Sequence, residues 1–350
     1  MQTRLTSLDA FRGFTMIWMF SQSFGLHLFK DHPLFGPIAR QFTHHDWHGA
    51  YAWDMIQPFF MFIVGVAMPF AFAAREERGE SFSHQFKHVL KRAALLILLG
   101  LFARSLRANK PVLDLINVLA QIGFTYVAAF LVMRYSARVQ GAVALALLAV
   151  HTALFIFGKP PDAADAWIRD NNYGQGFDMW LIGKTWGGGY ATINCVSSAA
   201  NTIFGVMAGR LLQRDNEPLR KLLIAGAVAL VLGLALDPFV PSIKKIWTAS
   251  FALMSTGWTL WVLAAFYWLC EVKGATRWAQ VGVIVGANSI FIYVFHEVME
   301  RWMTQSAKVF LGWAIAAWGP VGEMLQIWLV VGFQIYVCWW LYQRRIFFKV

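Results

Sequence analysis

A run of histidines and acidic residues near residue 45 contains the strongest candidates for chemistry. His44 and His45 are followed by Asp46 and His48, and Asp54 comes soon after. Histidine titrates near neutral pH and is the usual general base, and a neighbouring carboxylate orients its ring and stabilises its charged form. The pattern therefore predicts a histidine base that is assisted by Asp46 or Asp54.

Two other interpretations of this run remain open. The histidines and the adjacent Trp47 are also typical of a loop that lies at the level of the lipid headgroups. His44 and His48 have the i, i+4 spacing of some metal ligands, but no cysteine is nearby. We therefore expect a site without metal.

A second polar cluster lies on and just after the apolar segment 278–295. Its members are Asn288, Ser289, Tyr293, His296 and Glu297. Ionisable side chains at membrane depth are costly and are functional candidates. If this segment runs outward, His296 emerges on the same side as His44, and the cluster is expected to contact a substrate. The alternative is a helix-end pair that only anchors the span.

Three other positions are candidates for binding. Asn201 lies in an apolar segment, where such residues either join helices or line a polar tunnel. Lys244 and Lys245 are expected to bind an anion or a sugar, or only to extend toward the headgroups. Arg12, three residues after Asp9, forms either a structural salt bridge or a site for the phosphates of a donor.

The elements that must hold these residues are membrane helices. Hydrophobic residues make up 58% of the 350 residues and charged residues 14%, against about 45–50% and about 25% in soluble proteins. So few charges could not cover the surface of a soluble domain. The 17 Trp and 30 Phe are typical of a chain in contact with lipid. The composition predicts an all-α, polytopic membrane protein and excludes a disordered chain.

We predict ten membrane spans in a single domain, 1–350, arranged around a polar tunnel. They cover residues 10–29, 55–74, 88–103, 112–133, 141–157, 190–209, 222–241, 246–270, 278–295 and 324–343. The apolar stretch 309–322 is short and contains Gly312, Gly319 and Pro320, so we expect it to be re-entrant or buried. Loops 30–52, 158–189 and 296–323 are then extracytoplasmic.

The distribution of positive charge sets the expected orientation. With a cytoplasmic N-terminus, 18 of the 30 Lys and Arg residues lie inside, as the positive-inside rule requires. Both termini are then cytoplasmic, in a bacterial-type inner or plasma membrane. The net charge of +11 follows from these loops, so we expect lipid rather than nucleic acid as a partner. A homodimer is left open.

Six stretches of the chain, in order, match motifs of one protein family. Residues 4–13 carry an R-L-x-S-x-D-x-x-R-G pattern, and residues 44–65 carry H-x-x-W-x-G followed by D-x-x-x-P-x-F-x-F-I-x-G. The later matches are residues 118–126, 245–250, 286–298 and 341–347. In these motifs the chain resembles the heparan-α-glucosaminide N-acetyltransferase family of membrane acetyltransferases.

The resemblance implies transfer of an acetyl group from cytosolic acetyl-CoA to the amine of a glucosamine-type sugar across the membrane. His44 corresponds to the family's essential histidine, because it lies three residues before Trp47. We therefore expect His44 and Asp54 to be catalytic and Arg12 to face the donor. Asn288 or the Asn201 region would donate hydrogen bonds to the developing oxyanion.

Three departures from the family pattern concern the acceptor more than the reaction. Residues 21–23 lack the family's asparagine, Gln121 stands where the family has arginine, and residues 187–190 replace an acidic stretch. Two alternatives stay open: an O-acyltransferase of a cell-surface glycan, and a transporter or flippase without bond chemistry. The sequence contains no internal repeat of the kind many transporters show.

Overall fold

The computed structural model describes residues 5–348 and is helical throughout. Over this range it has no β-strand, only one isolated bridge between Gly49 and Ile243. The predicted all-α fold is therefore confirmed. Arg4, which opens the first family motif, and Lys349, which was counted among the inner cations, lie outside the described residues.

Thirteen α-helices follow one another along the described chain. They are α1 (Thr6–Phe20), α2 (Gly36–Arg40), α3 (Ile56–Glu76), α4 (Phe82–Ala108), α5 (Val118–Val132), α6 (Ala137–Phe157), α7 (Tyr173–Ile182), α8 (Asn194–Arg214), α9 (Pro218–Leu236), α10 (Ala249–Tyr267), α11 (Gln280–Ala287), α12 (Ser289–Trp318) and α13 (Pro320–Gln343). Short 3₁₀ segments lie at Gln22–Phe29, Ala52–Met55 and Gly187–Gly189, and a π-helical turn at Trp268–Val272 extends α10.

Six of the described helices are long and apolar enough to cross a membrane. They contain α3, α6, α8, α9, α10 and α13. Helices α11 and α12 meet at an angle of 77° and would count as a seventh if they form one broken span. Six of the ten predicted spans thus coincide with such helices, and the count of ten stays a prediction.

The other predicted spans differ from the six for identifiable reasons. Helices α1 and α5 have 15 residues each, shorter than the roughly 20 that a bilayer requires. Helix α4 has 27 residues but carries several Lys and Arg side chains. The predicted span 278–295 is interrupted at Asn288, where the backbone leaves helical geometry.

Of the two alternatives for residues 309–322, a buried segment is wrong and a re-entrant one stays a prediction. Residues 309–318 continue helix α12, and α13 begins directly after Gly319, so 296–323 is largely helix rather than loop. Val309 and Phe310 are 80% and 73% exposed, which contradicts burial. The positive φ of Gly319, +53°, supplies the sharp reversal between the two helices.

Helix α3, which begins beside Asp54, is fixed by close packing on α8. A Cβ atom on Gly65 would lie 2.0 Å from the Thr202 carbonyl oxygen, and one on Gly205 would lie 2.2 Å from that of Phe62. Glycine at these positions lets the two backbones touch, as in many membrane helix pairs. The contact holds the start of α3 at a set height against α8.

Candidate active site

The loop before α3 wraps around the carboxylate of Asp54. The backbone N–H groups of His45 and Tyr51 donate to Asp54 Oδ2 at 3.0 and 2.9 Å. The other oxygen, Oδ1, lies 2.8 Å from Nδ1 of His44. The Asp54 side chain is 1% exposed and that of His44 50% exposed. Of the two carboxylates that the sequence left open, Asp54 and not Asp46 pairs with His44.

Lys244 enters the same cluster from a distant part of the chain. Its Nζ atom lies 3.1 Å from Asp54 Oδ1 and 3.1 Å from His44 Nδ1. The segment that carries it is joined to the histidine loop, because Gly49 N–H donates to the Ser242 carbonyl at 2.7 Å. Lys244 is 8% exposed, so the ion pair with Asp54 is buried.

The three groups fix the protonation pattern of the imidazole. The carboxylate of Asp54 can only accept and lies closer to Nδ1 than Lys244 Nζ does, at 2.8 against 3.1 Å, so Nδ1 of His44 donates its proton to Asp54. This leaves Nε2 with a free lone pair. Burial lowers the pKa of His44, the bond to Asp54 raises it and the charge of Lys244 lowers it, and the net shift is downward. His44 is therefore neutral and basic near pH 7.

The other two histidines of the run have different partners. The His48 ring lies 3.1 Å from Asp237 Oδ2. The His45 ring packs on Tyr51 with centroids 4.6 Å apart, and only its backbone contacts Asp54. Of the three, His44 alone combines a half-exposed ring with a buried carboxylate.

Aromatic and cationic side chains lie in the segments that carry His44 and Lys244. Trp47 Nε1 donates to the Trp167 carbonyl at 2.8 Å, and the Arg169 guanidinium lies 6.0 Å from the Trp47 ring centroid. The Lys245 ammonium lies 5.9 Å from the Tyr190 ring centroid. Residues 158–189, predicted to be a long outer loop, thus contact Trp47, which lies three residues after His44.

A cavity of about 1100 Å³ occupies the opposite end of the helix bundle. Along α3 its lining runs from Phe60 to the turn after Glu76, which corresponds to about 25 Å of helix. Most of the lining is apolar, and Ser289 belongs to it. Five cationic or titratable bases also line it: Arg12, Arg75, His88, Lys91 and Arg92. The predicted inner-side role of Arg12 is consistent with this place.

The cavity and the histidine cluster are separated by packed residues. On α3 the cavity lining stops at Phe60, six residues after Asp54, or about 9 Å along the helix. His44 is not part of the lining. The continuous polar tunnel expected from the sequence therefore stays a prediction, and the cavity that is present is mainly apolar.

Asn201 is occupied by structural hydrogen bonds. Its Nδ2 donates to the Ala252 carbonyl and to Thr256 Oγ1, and its Oδ1 accepts from Trp247 Nε1 at 2.9 Å. The residue is fully buried. It fixes α8 to α10, and it makes no hydrogen bond to His44, Asp54 or Lys244.

Asn288 lies at the bend between α11 and α12, away from His44. Its side chain bonds the Ile346 carbonyl and the Phe348 N–H, each at 3.0 Å. Phe348 lines the cavity together with Ser289. These two predicted site residues therefore belong to the cavity end of the bundle.

His296 and Glu297 lie in a separate buried network. His296 Nδ1 is 3.2 Å from Gln334 Oε1 on α13, and Glu297 pairs with Arg107 of α4 at 3.3 Å. Over residues 5–348 no hydrogen bond joins either residue to His44. Their predicted role in acceptor binding stays untested.

The part of the chain that contains the His44 cluster is similar to one known protein family. Residues 4–167 match the family model described as heparan-alpha-glucosaminide N-acetyltransferase, catalytic. This range includes His44, Asp54 and Trp47. The resemblance predicted from the sequence motifs is confirmed by this match.

Two curated members of the heparan-alpha-glucosaminide N-acetyltransferase family align with almost the whole chain. The protein of that name from Mus musculus is 23% identical over 420 aligned positions, and the one from Homo sapiens is 24% identical over 427. Each match covers 99% of this chain and 60% of the relative. The chain thus spans about 60% of the length of these relatives.

The family motifs did not single out some residues that the structure brings to the two sites. Arg75, Lys91 and Arg92 are three of the 18 basic residues that the predicted topology places inside, and the motifs do not mark them as cavity residues. The motifs do not mark Arg169 and Tyr190 either, which contact Trp47 and Lys245. The predicted topology places each of these residues on one side of the membrane. It does not predict which of them face the cavity or the histidine loop, because that depends on how the helices pack.

No metal is implied by the residues that surround His44. In the part of the chain that the structure describes, no group of three or more His, Cys, Asp or Glu side chains is arranged to hold a metal ion. His44 and His48, the i, i+4 pair, face two different carboxylates, Asp54 and Asp237. The expectation of a metal-free site stays a prediction.

Proposed function

We propose that this chain is a transmembrane acetyltransferase that moves an acetyl group from acetyl-CoA to the amine of a glucosamine-type sugar. The observation that carries the proposal is the cluster of His44, Asp54 and Lys244, with Nε2 of the histidine free and accessible. The family match supports the reaction type, since the relatives are named as N-acetyltransferases of a glucosaminide. Acetyl-CoA is the donor and the amino sugar the acceptor.

His44 acts through Nε2 in either of two routes. In direct transfer the amine nitrogen attacks the thioester carbonyl carbon, Nε2 takes the proton from that nitrogen, and the C–S bond breaks to release CoA, whose sulfur is then protonated. In two-step transfer Nε2 attacks the carbonyl first, CoA leaves, and the amine then takes the acetyl group from the ring. Asp54 holds the Nδ1 proton and stabilises the positive ring in both routes.

Lys244 supports this role electrostatically. Its ammonium, 3.1 Å from Asp54 Oδ1, keeps the buried carboxylate ionised. The same charge opposes protonation of His44 before the reaction. Lys244 therefore keeps the imidazole in its neutral, basic form, and Asp54 orients the ring.

The cavity at the opposite end suits the donor. Acetyl-CoA carries several phosphate charges on a nucleotide and a thin, uncharged pantetheine arm. Arg12, Lys91 and Arg92 would face the phosphates, and the apolar lining along α3 would take the arm. The volume of about 1100 Å³ is slightly above the usual range for ligand pockets, roughly 300–1,000 Å³.

The ten-span topology is supported by the position of the two ends of the described chain, which lie at the same cavity. Leu5, before α1, and Phe348, after α13, line the same cavity. An even number of crossings would bring the two segments to one side. The cavity would open to the cytoplasm and the His44 cluster to the extracytoplasmic side of a plasma or inner membrane.

Purified protein in lipid nanodiscs provides the test. It is given radiolabelled acetyl-CoA with glucosamine, with N-acetylglucosamine, whose amine is blocked, and with no sugar. We expect labelled product and free CoA only with glucosamine. Product with N-acetylglucosamine would identify an O-acyltransferase, and uptake of sugar into vesicles without CoA release would identify a transporter.

A further inference from the structure

Trp247 lies three residues after Lys244 and has an unusual backbone conformation. Its φ is +50°, in the left-handed region that a bulky side chain rarely adopts, and the residue is 1% exposed. Such a conformation costs free energy and persists only where the surrounding structure fixes it. The contacts that hold Trp247 therefore also determine the shape of the turn that begins at Lys244.

Asn201 of α8 supplies the polar contact of the Trp247 side chain. The indole Nε1 donates to Asn201 Oδ1 at 2.9 Å. Asn201 Nδ2 points the other way and donates to the Ala252 carbonyl at 3.0 Å and to Thr256 Oγ1 at 2.9 Å. An indole N–H can only donate and a carbonyl can only accept, so the orientation of the amide is set. Both residues are buried, so loss of one partner would leave the other unsatisfied.

The same helix also holds the backbone of the turn. Asn194, about two turns before Asn201 on α8, donates through Nδ2 to the Lys245 carbonyl at 2.8 Å. Within the turn, the Trp247 N–H donates to the Lys244 carbonyl at 3.0 Å. Two asparagines of one helix thus fix the turn, one through its backbone and one through the indole.

Helix α8 sets the position of the lysine's partner as well. The close contact of Gly65 with α8 holds α3 in place, and α3 begins two residues after Asp54. The Lys244 ammonium and the Asp54 carboxylate, 3.1 Å apart, therefore both take their positions from α8. A change in the turn would move the lysine and leave the carboxylate where it is.

We propose that Asn201 and Trp247 are positioning residues for Lys244. The buried hydrogen bond between their side chains holds the turn in the conformation that places the lysine ammonium beside Asp54 and His44. The inference rests on the proposed acetyltransferase function, since it concerns the group that keeps His44 in its basic form. Asn201, predicted from the sequence to line a tunnel or to stabilise an oxyanion, then acts through Lys244 instead.

Trp247→Phe tests the proposal, because it keeps a buried aromatic ring and removes the indole N–H. The turn should relax, and the lysine ammonium should withdraw from His44. The Lys244 charge lowers the pKa of His44, so the acidic limb of log kcat/KM for glucosamine should move to higher pH. We expect a shift of about half a pH unit, because the effect of a charge weakens with distance. Trp261→Phe is the matched control, since the Trp261 indole N–H joins α10 to α9 through the Leu223 carbonyl at 3.1 Å.

Asn201→Ala removes the acceptor of the same hydrogen bond and is the second test. It should move the limb in the same direction as Trp247→Phe. Asp54 and Lys245 are the other charged groups that act on the pKa of His44, and both are retained in every variant. A limb that stays in place in both variants, with the proteins folded, would overturn the proposal.

A double variant distinguishes positioning from a general structural effect. In a Lys244→Met background, Trp247→Phe should add almost no further shift, because the charge that it displaces is already absent. Trp261→Phe should leave the limb in place in both backgrounds. An equal shift by Trp247→Phe with and without Lys244, or an equal shift in Trp261→Phe, would show that the indole does not act through the lysine.

A measurement without turnover keeps this inference separable from the enzymatic function. Diethyl pyrocarbonate modifies the neutral imidazole, so the pH dependence of modification, localised to His44 by tandem mass spectrometry, gives the pKa of that ring. A pKa raised in Trp247→Phe and unchanged in Trp261→Phe supports the positioning role even if no sugar is acetylated, a result that would reject only the enzymatic function. The same pKa in the unmodified protein and in both variants would reject the positioning role and leave the acetyltransferase intact.

Discussion

Lys244 and Asp54 are 190 positions apart in the chain, yet Lys244 Nζ and Asp54 Oδ1 lie 3.1 Å apart in a buried ion pair. The Nδ1 atom of His44 lies 2.8 Å from the same oxygen. A positive charge on one side of the carboxylate and an imidazole on the other give the histidine two opposing influences. The balance between them determines the pH range in which His44 is a base.

Replacement of Lys244 by Met should move the acidic limb of the pH profile to higher pH. The Lys244 charge lowers the pKa of His44, so its removal raises that pKa, and the ring becomes neutral only at higher pH. The measurement is log kcat/KM for glucosamine between pH 5 and pH 8, with Lys184→Met as control. The acceptor amine titrates identically in all three proteins. An acidic limb that stays at the same pH in Lys244→Met would therefore contradict an effect of Lys244 on the pKa of His44.

Replacement of Asp54 by Asn should move the acidic limb of the pH profile to lower pH, opposite to the effect of Lys244→Met. The hydrogen bond and charge of Asp54 raise the pKa of His44, so their loss lowers it and extends activity to lower pH. The plateau should fall by at least about tenfold, because the Nδ1 proton loses its charged acceptor and the ring its orientation. A shift to higher pH would contradict the arrangement proposed for the three groups.

His44→Ala should reduce turnover by at least about 10²-fold, the usual scale of general acid–base help. The free energy of unfolding should change by less than about 1 kcal/mol, because the side chain is half exposed. His45→Ala and His48→Ala are the matched controls and should be milder, since neither ring contacts Asp54. Equal activity in His44→Ala and His45→Ala would remove His44 from the mechanism.

The sequence predicted part of this site and could not have predicted the rest. His44 and Asp54 are near in sequence, so their spacing was enough to suggest a pair. Lys244 was expected to bind an anion or a sugar, but its bond to Asp54 depends on the contact of Gly49 with Ser242 across the fold. Asn201 was a candidate oxyanion donor, and only the structure reveals that its amide hydrogens bond α10.

The same distinction applies to the helices. The charge-free segments 55–74 and 324–343, which coincide with most of α3 and α13, follow from composition alone. The bend at Asn288 was not, because its cause is a side chain that bonds residues 346 and 348 instead of extending the helix. The helical continuation through residues 309–318 does not follow from the sequence, because a short apolar stretch with Gly312, Gly319 and Pro320 equally predicts a re-entrant segment.

Removal of cations from the cavity should weaken binding of acetyl-CoA and leave the rate of the chemical step unchanged. In the double variant Arg12→Ala/Lys91→Ala we expect the KM for acetyl-CoA to rise about tenfold and kcat to change little, since the lost contacts are made equally before and during the reaction. Lys87→Ala on the same helix, outside the cavity lining, is the control. An unchanged KM in the double variant would place the donor elsewhere.

Cysteine labelling should place residues 184 and 87 on opposite sides of the membrane. In a background with Cys195, Cys270 and Cys338 replaced by Ser, a single cysteine is introduced at Lys184 or at Lys87. Ten spans put Lys184 outside, near the His44 cluster, and Lys87 inside, near the cavity. A membrane-impermeant maleimide added to intact cells should therefore label position 184 and not position 87, whereas both should react after lysis. Labelling of both in intact cells, or of position 87 alone, would reject the topology on which the separation of donor and acceptor depends.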